Sequence, residues 1–484
     1  MIGRTWMIAV VAWTLLVWPG GPPLRAADWP MLGCDPQRSN YTPEPVGSYV
    51  NYPNWKHAWT WNTPASIPWR SQVVAAGGIV SVGTYDGILH GIDIETGTTR
   101  WRFQTGGPIL HSPAIVAGRV YTGSHDGAVY CVDANSGAKV WSYQTGGGIV
   151  ASPLVVGGVV YIGSKDGFFY ALDAAGGAMR WRVDVGEPVV VSAACSDAAR
   201  LVFSGTSHVN AFAVTLDGRL AWKRQLLGQS LQEAWPQVSE RHGVVIYRAL
   251  PVYDMWNLIN HAGNGHPNDK QAYLQGIFKA PPKDIDEEQD GISDYLARHP
   301  FRQTFFALDV KTGQDKYARP VPVLWSWGIS ATMHAQVIDN EGDRAFAMWR
   351  TLATPGARCE MPELGFLDLG RGRFVERKAF RVSNGHFQNG LWGGDEPWPI
   401  TGCADAIFMT QNHGPTGWSL LNYQSFIVLG PDIWTVWRWQ RDPERAESRT
   451  HWAPQWCRNV VGCTYTNGKI LWQGGGGIGC RVKP

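Results

Sequence analysis

Short apolar runs cut by turn residues fill residues 71–183. The first run, 71–76, ends at Gly77-Gly78. The second, 79–84, ends at Asp86-Gly87, a pair that tolerates the positive φ of a tight hairpin turn. A third run follows at 88–93, Glu95-Thr96-Gly97 turns the chain again, and a fourth run, 98–103, carries Trp101. Dense in Val, Ile, Tyr and Trp, these runs predict four antiparallel strands within about 40 residues. The pattern then occurs twice more. Asp86, Asp126 and Asp166 are 40 residues apart, as are Asp93, Asp133 and Asp173, and Trp101, Trp141 and Trp181. One four-stranded unit cannot bury both of its faces, so each must stack on its neighbours, and a period near 40 is that of propeller blades.

Fainter copies continue the series. A fourth runs from Ser192 through Gly205-Thr206-Ser207 and Asp217-Gly218 to Trp222. A fifth starts at Ala234-Trp235, is interrupted, and resumes over 304–309 with Lys311-Thr312-Gly313. A sixth covers 333–380 and a seventh lies between Cys403 and Trp439. Residues 460–463, 469–473 and 478–482 supply three strands without a fourth, while residues 55–61, bearing Trp55, Trp59 and Trp61, read as an outer strand without its first three. The two ends of the chain are therefore predicted to share one blade, which removes the open sheet edges a partial ring would present. The fold class is all-β, a propeller of four-stranded antiparallel blades; the count is eight, with seven as the alternative because the last three copies are faint.

The Asp93-Gly97-Trp101, Asp133-Gly137-Trp141 and Asp173-Gly177-Trp181 triads resemble the repeat of pyrroloquinoline-quinone (PQQ) β-propellers, where the outer-strand Trp docks on the neighbouring blade. Trp101, Trp141 and Trp181 are followed by Arg102, Ser142 and Arg182, which separates them from the Trp-Asp ending of WD40 repeats. The resemblance implies the fold. It leaves function open, because the family spans quinoprotein dehydrogenases, assembly scaffolds and sensor domains that bind no quinone.

Ahead of the repeats, residues 1–4 form a short cationic lead, 7–17 an apolar core broken only by Thr14, and Leu24-Arg25-Ala26-Ala27 a small-residue cleavage region. That is the pattern of a secretory signal over 1–27; an uncleaved anchor is the alternative. An N-terminal extension (28–54) and the propeller (55–484) follow. The apolar run is too short to span a membrane comfortably, and the first cysteine, Cys34, is no lipobox residue. A mature chain without a transmembrane helix, periplasmic or secreted, is expected. A net charge of +2 implies neither a nucleic-acid groove nor a polybasic membrane surface, and 44% hydrophobic residues suffice for a large core. The eight cysteines permit disulfides in an oxidising compartment, with connectivity unreadable; none forms CxxC, CxxCH or an adjacent pair.

The interruption of the fifth copy, at about 251–300, is long for a loop in a compact domain and is expected to lie outside the repeating strands and shape one mouth of the channel. A short helix is predicted over 291–298. Asp286, Glu288, Asp290, Gly291 and Asp294 match calcium-loop positions, but Ala297 stands where a bidentate Glu is needed, so a solvated acidic helix start is the preferred reading. Loops entering the inner strands carry Arg70, His111, Ala151, Ser192, Trp235, His334 and Thr401 at similar places. Of these, Arg70, His111, Trp235 and His334 are the candidates to hold an anionic or aromatic ligand in the channel, against an ordinary rim role for each.

The dehydrogenases of the resembled family use a vicinal disulfide beside the quinone, calcium held by Glu, Asn and Asp, and a catalytic Asp. Here the adjacent cysteine pair is missing and no calcium set is recognisable, so PQQ with calcium is not supported and no catalytic residue is assigned. The glycine run 474–477 precedes no helix and is not a phosphate loop. His90, His111, His125, His334, His386 and His413 lack the paired spacing of a copper site. These readings point to an exported binding or scaffolding module for an unidentified protein or small molecule at a propeller face; the alternative is a divergent PQQ-dependent alcohol or sugar oxidoreductase.

Overall fold

The structure is a computed structural model of the chain and describes residues 28–45, 56–68, 70–228, 230–231, 235–249, 283–323, 337–339, 344–349, 363–379, 398–403, 406–411, 414–419, 425–427, 461–474 and 476–482. Eight separate sheets follow one another along the chain. Blade 1 spans residues 74–104, blade 2 114–144, blade 3 154–184, blade 4 194–225, blade 5 237–309, blade 6 337–379 and blade 7 398–427. Blade 8 joins 461–482 to 56–62. Within blade 1 the strands Val74–Ala76, Ile79–Gly83, Ile88–Asp93 and Thr99–Gln104 form an antiparallel meander from inner to outer edge. Lys56–Asn62 pairs antiparallel with Gly477–Val482 as the outer strand of blade 8, the predicted joining of the two ends. The seventh sheet begins at Trp398, ahead of the Cys403 expected from sequence.

One contact is repeated at five successive seams among the described residues. The outer-strand Trp of a blade donates its indole N–H to the carbonyl after the third strand of the next: Trp59 to Ile94 (3.0 Å), Trp101 to Ala134 (2.7 Å), Trp141 to Ala174 (3.0 Å), Trp181 to Leu216 (3.0 Å) and Trp222 to Val310 (3.0 Å). Each ring lies flat on a turn glycine of that neighbour. A Cβ on Gly177 would stand 2.6 Å from the Trp141 ring, and Gly97, Gly137, Gly218 and Gly313 meet Trp59, Trp101, Trp181 and Trp222 at 2.5–2.7 Å. Gly177 also has φ of 77°, so the turn and the ring both demand glycine there. The motif aspartate fixes that turn: Asp133 Oδ1 accepts the Asn135 and Ser136 N–H groups. Between blades 5 and 6 the tryptophan is replaced by Tyr317, whose hydroxyl donates to the Leu369 carbonyl and whose ring covers Gly372.

Blade 5 has three strands among the described residues, Gln237–Ser239, Val244–Arg248 and Phe305–Asp309. Asp315 bridges Leu308 antiparallel and Lys316 N–H donates to Ala307 O at 2.9 Å along the outer side of the third strand, and beside the blade lies helix α1 (Ile285–Arg298). It starts at Asp284, whose side chain accepts from Glu287 N–H, with Asp286, Glu287 and Glu288 in the first turn favoured by the helix dipole. Ile292, Tyr295 and Leu296 are buried with Val244, Ile246 and Phe305 of blade 5 and Ile338, Ala345 and Phe374 of blade 6. Gln289 exchanges two hydrogen bonds with the Phe374 backbone. The described part of the insertion is thus core between two blades, a correction to its expected place at the channel mouth; residues 251–282 lie outside the described residues. The calcium-loop positions fall on this helix, where Asp290 pairs with Arg319 and Arg373, Asp286 with Arg373 and Asp294 with Arg319.

The larger departure is at the N-terminus. Residues 28–45, expected as an extension ahead of the propeller, run along the inner strands of successive blades. Ala75 of blade 1 exchanges two backbone bonds with Trp29, at 2.7 and 2.8 Å. Ile115 of blade 2 then donates to Pro30 O, Cys195 of blade 4 to Pro36 O, Val238 of blade 5 to Gln37 O, Ile338 of blade 6 to Ser39 O and Gly402 of blade 7 to Asn40 O, all at 2.7–3.0 Å. Tyr41–Thr42 pairs parallel with Gly402–Cys403, and Tyr465 of blade 8 donates its hydroxyl to Pro45 O. Blade 3 is reached by Arg38, whose guanidinium donates to the Pro153, Ala193 and Leu32 carbonyls. The inner edges that face the axis would otherwise leave backbone donors unpaired, which is costly once they are cut off from water. Curling a chain this tightly uses left-handed residues: Gly33, Cys34, Arg38 and Asn40 all have positive φ.

Replacing Trp141 by Ala should leave an interblade cavity and lower unfolding free energy by about 3–5 kcal/mol in urea titration; an unchanged midpoint would place the ring outside the seam. Removing residues 28–42 strips one acceptor from the inner strand of six blades. Such a chain should lose its single cooperative thermal transition and aggregate, read by calorimetry and light scattering.

Candidate functional site

The loops that lead from one blade's outer strand to the next blade's inner strand share a face with the hairpins between second and third strands. Thr105 N–H donates to Gly87 O at 2.9 Å and Gly106 N–H to Asp126 at 2.7 Å. Strand pairing shifts the register proposed from sequence. Three residues before the inner strands stand Ser71, His111, Ala151 and Val191; two before stand Gln72, Ser112, Ser152, Ser192 and Trp235. Arg70 is one residue further out, Thr401 is buried inside the first strand of blade 7, and His334 lies outside the described residues.

Serines two before the strands link the loops. Gln72 N–H donates to Ser112 Oγ (2.7 Å) and Ser152 N–H to Ser192 Oγ (2.8 Å). His111 closes the set: its Nδ1 accepts from Ser112 N–H at 3.1 Å and faces Ser152 Oγ at 2.7 Å. An Nδ1 that accepts a backbone N–H carries no proton, which leaves the ring proton on Nε2 and makes the Ser152 hydroxyl the donor. Burial, with Arg70 and Arg38 nearby, pulls the His111 pKa down to about 3. The Ser152–His111 distance is that of a nucleophile and its base, yet an imidazole this acidic is a poor proton acceptor at neutral pH. The pair is structural.

Trp235 is brought against His111, ring centroids 6.4 Å apart and edge to face. Its other side packs on Leu32 of the axial segment. Its indole N–H meets no acceptor among the described residues. Of the four candidates, His111 and Trp235 are therefore assembled into one wall, with Arg70 close enough to act on His111. Sequence reading missed the residues behind that wall. Gln237 donates Nε2–H to Arg38 O (2.8 Å) and accepts from Arg248 (3.0 Å). The signal was present, since Arg248 stands where blades 1–4 have Gly83, Gly123, Gly163 and Gly205.

These polar groups are of one kind, donors and cations, and suit an anion or an aromatic face. Among the described residues no group of three or more His, Cys, Asp or Glu stands where it could hold a metal ion. A quinone's carboxylates would find donors here; the calcium that accompanies the quinone in the resembled dehydrogenases would find no acid set among the described residues. Cys34, Cys131, Cys195 and Cys480 are buried free thiols, and burial raises the pKa of each, which makes them poor nucleophiles.

His111 is neutral in the fold, with a pKa of about 3 against 6.5 ordinarily. As pH falls the unfolded chain takes up this proton first, so its contribution to stability is complete above about 6.5 and is lost progressively down to about 3, by at most about 1.4 kcal/mol per pH unit. His90, pulled down to about 4 chiefly by burial, acts in the same direction. His111→Asn should flatten the fall in unfolding free energy across that window, measured by urea titration; an unchanged slope would mean a solvent-exposed ring.

The family profile described as outer membrane protein assembly factor BamB matches residues 53–148 and 86–248. A lanthanide-dependent methanol dehydrogenase of Methylacidiphilum fumariolicum (strain SolV) is 33% identical over 73 residues, 15% of this chain and 12% of that protein's length. The match therefore spans far less than two thirds of that relative. Among solved structures, the quinohemoprotein alcohol dehydrogenase from Comamonas testosteroni is similar with a TM-score of 0.58 at 14% identity, over 94% of this chain and 80% of that one. A europium-containing methanol dehydrogenase gives 0.54 at 13% identity, over 95% and 98%. At such identities the structural likeness is one of fold. Repeat, docking tryptophans and matched profile agree: the chain has a β-propeller fold whose residues 53–248 carry repeats of the PQQ type.

Proposed function

We propose that this chain is an exported propeller acting as a binding or scaffolding module, with its ligand or partner taken at the face where loops enter the inner strands. The observation that supports this most is the filled axis. Trp29, Leu32, Arg38 and Asn40 of the axial segment are completely buried, and Leu32 backs Trp235. A rigid floor, an aromatic wall and unpaired donors suit recognition, while the weakness of His111 as a base argues against proton transfer. Export is part of the proposal: cleavage after Ala27 would release Asp28, the start of the axial segment, and N-terminal sequencing of the mature protein should begin there.

A divergent PQQ-dependent oxidoreductase is the second reading, favoured by the short match to a methanol dehydrogenase. The donor set described above goes against it. Purified protein incubated with PQQ and Ca²⁺ should show no quinone-dependent dye reduction with a panel of alcohols and sugars. Steady turnover would overturn the binding reading. Trp235→Ala should lower retention of a co-purifying small molecule or protein at least tenfold by quantitative mass spectrometry while leaving the unfolding transition cooperative; unchanged retention would move the site to another face.

A further inference from the structure

Arg248 ends the second strand of blade 5, where blades 1–4 end with glycine. At those glycines there is no room for a side chain. A Cβ on Gly83 would be 2.1 Å from Ile109, on Gly123 2.3 Å from Ile149, on Gly163 2.3 Å from Val189, and on Gly205 3.1 Å from Leu231. Each of those residues comes from the loop that enters the next inner strand, so four seams fill this place with an aliphatic group. In blade 5 the same strand position carries an arginine instead of glycine.

That arginine is 2% exposed. One nitrogen, NH2, donates to Gln237 Oε1 at 3.0 Å, and Gln237 is held in turn through Nε2 on the Arg38 carbonyl. Nε and NH1 meet no acceptor among the described residues. Burial alone lowers the Arg248 pKa, to about 9, with no charged neighbour contributing. A buried cation with neither counter-ion nor full hydrogen bonding is strongly disfavoured, so its retention calls for an acceptor beyond the described residues. Phe305 pairs directly opposite Arg248 and is buried, giving the place an aromatic wall. Trp235, with its own unpaired N–H, precedes Gln237 by two residues.

We propose that Arg248, oriented by Gln237 and Arg38, anchors a site for a small organic carboxylate at the axial end of the seam between blades 5 and 6. The charge selects an anion, and the aromatic surroundings select one with an organic body. The inference rests on the binding reading above and names the class of ligand.

The test is thermal unfolding of the full mature protein at fixed ionic strength with sodium acetate, succinate, phosphate or chloride. Acetate or succinate should raise the midpoint saturably, and chloride should not. In Arg248→Met, which removes the charge at similar volume, the response should vanish. Gln237→Glu places a carboxylate of the chain against the guanidinium and should also be insensitive to added carboxylate. A wild-type midpoint unmoved by carboxylates, or a response kept in either variant, would overturn the site, and a response to phosphate alone would overturn the ligand class. Should Arg248→Met fail to fold, Gln237→Glu carries the decision. Turnover with PQQ would overturn the binding reading and leave these midpoint shifts to be read separately.

Discussion

The propeller depends on an aromatic ring laid on a glycine. A blade of short strands has two apolar faces and little else, and its stability comes from the neighbour it stacks on. The outer-strand Trp makes that stacking specific: its ring demands a missing side chain on the next blade, and its N–H demands a carbonyl in one position. Stacking alone would allow a blade to slide, whereas the hydrogen bond at the ring's edge sets the register between blades. Tyr317 shows which part of the interaction matters, because it keeps the ring over Gly372 and the donated bond to Leu369 while abandoning tryptophan.

A ring built this way creates a second problem at its centre. Each inner strand has an edge turned to the axis, and eight such edges form a tube of backbone donors. The chain meets six of them with backbone acceptors of its own residues 28–45, in sequence order, and reaches blades 3 and 8 through the Arg38 and Tyr465 side chains. Arg38 stands within this tube as a cross-brace, its charge spread over three carbonyl oxygens and partly balanced by Asp35. Burial raises the pKa of that carboxyl to about 6, although Ser39 and Arg38 pull the other way. The site face is therefore a mouth with a floor.

How much was legible follows from what repeats. Strand order, the docking role of Trp101, Trp141 and Trp181, and the shared terminal blade could all be read because a 40-residue period compares the chain with itself. The axial segment could not. It has one copy, its contacts are backbone bonds that no side-chain pattern records, and its left-handed residues are Cys34, Arg38 and Asn40 rather than glycines alone. Helix α1 was half legible: the acidic start was visible, but Ile292, Tyr295 and Leu296 announce a buried face without saying against what. At the site, His111 and Trp235 were found because they sit beside a repeat boundary. Arg248 was overlooked because attention went to loops, while its anomaly lies inside a strand.

The departures from the repeat are not scattered. Val209 occupies the turn position held by Gly87, Gly127 and Gly167 in blades 1–3 and keeps a φ of 64° despite its branched Cβ, a strain of about 1–3 kcal/mol. The hairpin around it is held by Glu187, which accepts from Thr206, Asn210 and Lys223; those bonds outweigh burial and bring its pKa down to about 2. Then come Arg248 in place of a glycine, α1 packed between blades 5 and 6, and Tyr317 in place of tryptophan. All lie in blades 4 and 5 or at the seam beyond, whereas blades 1–3 keep glycine or tryptophan at the equivalent positions. Folding alone gives no reason for this asymmetry, since blades 1–3 show that the regular solution works. Stability carried by the regular blades lets the irregular ones keep strained and charged groups on that side of the ring.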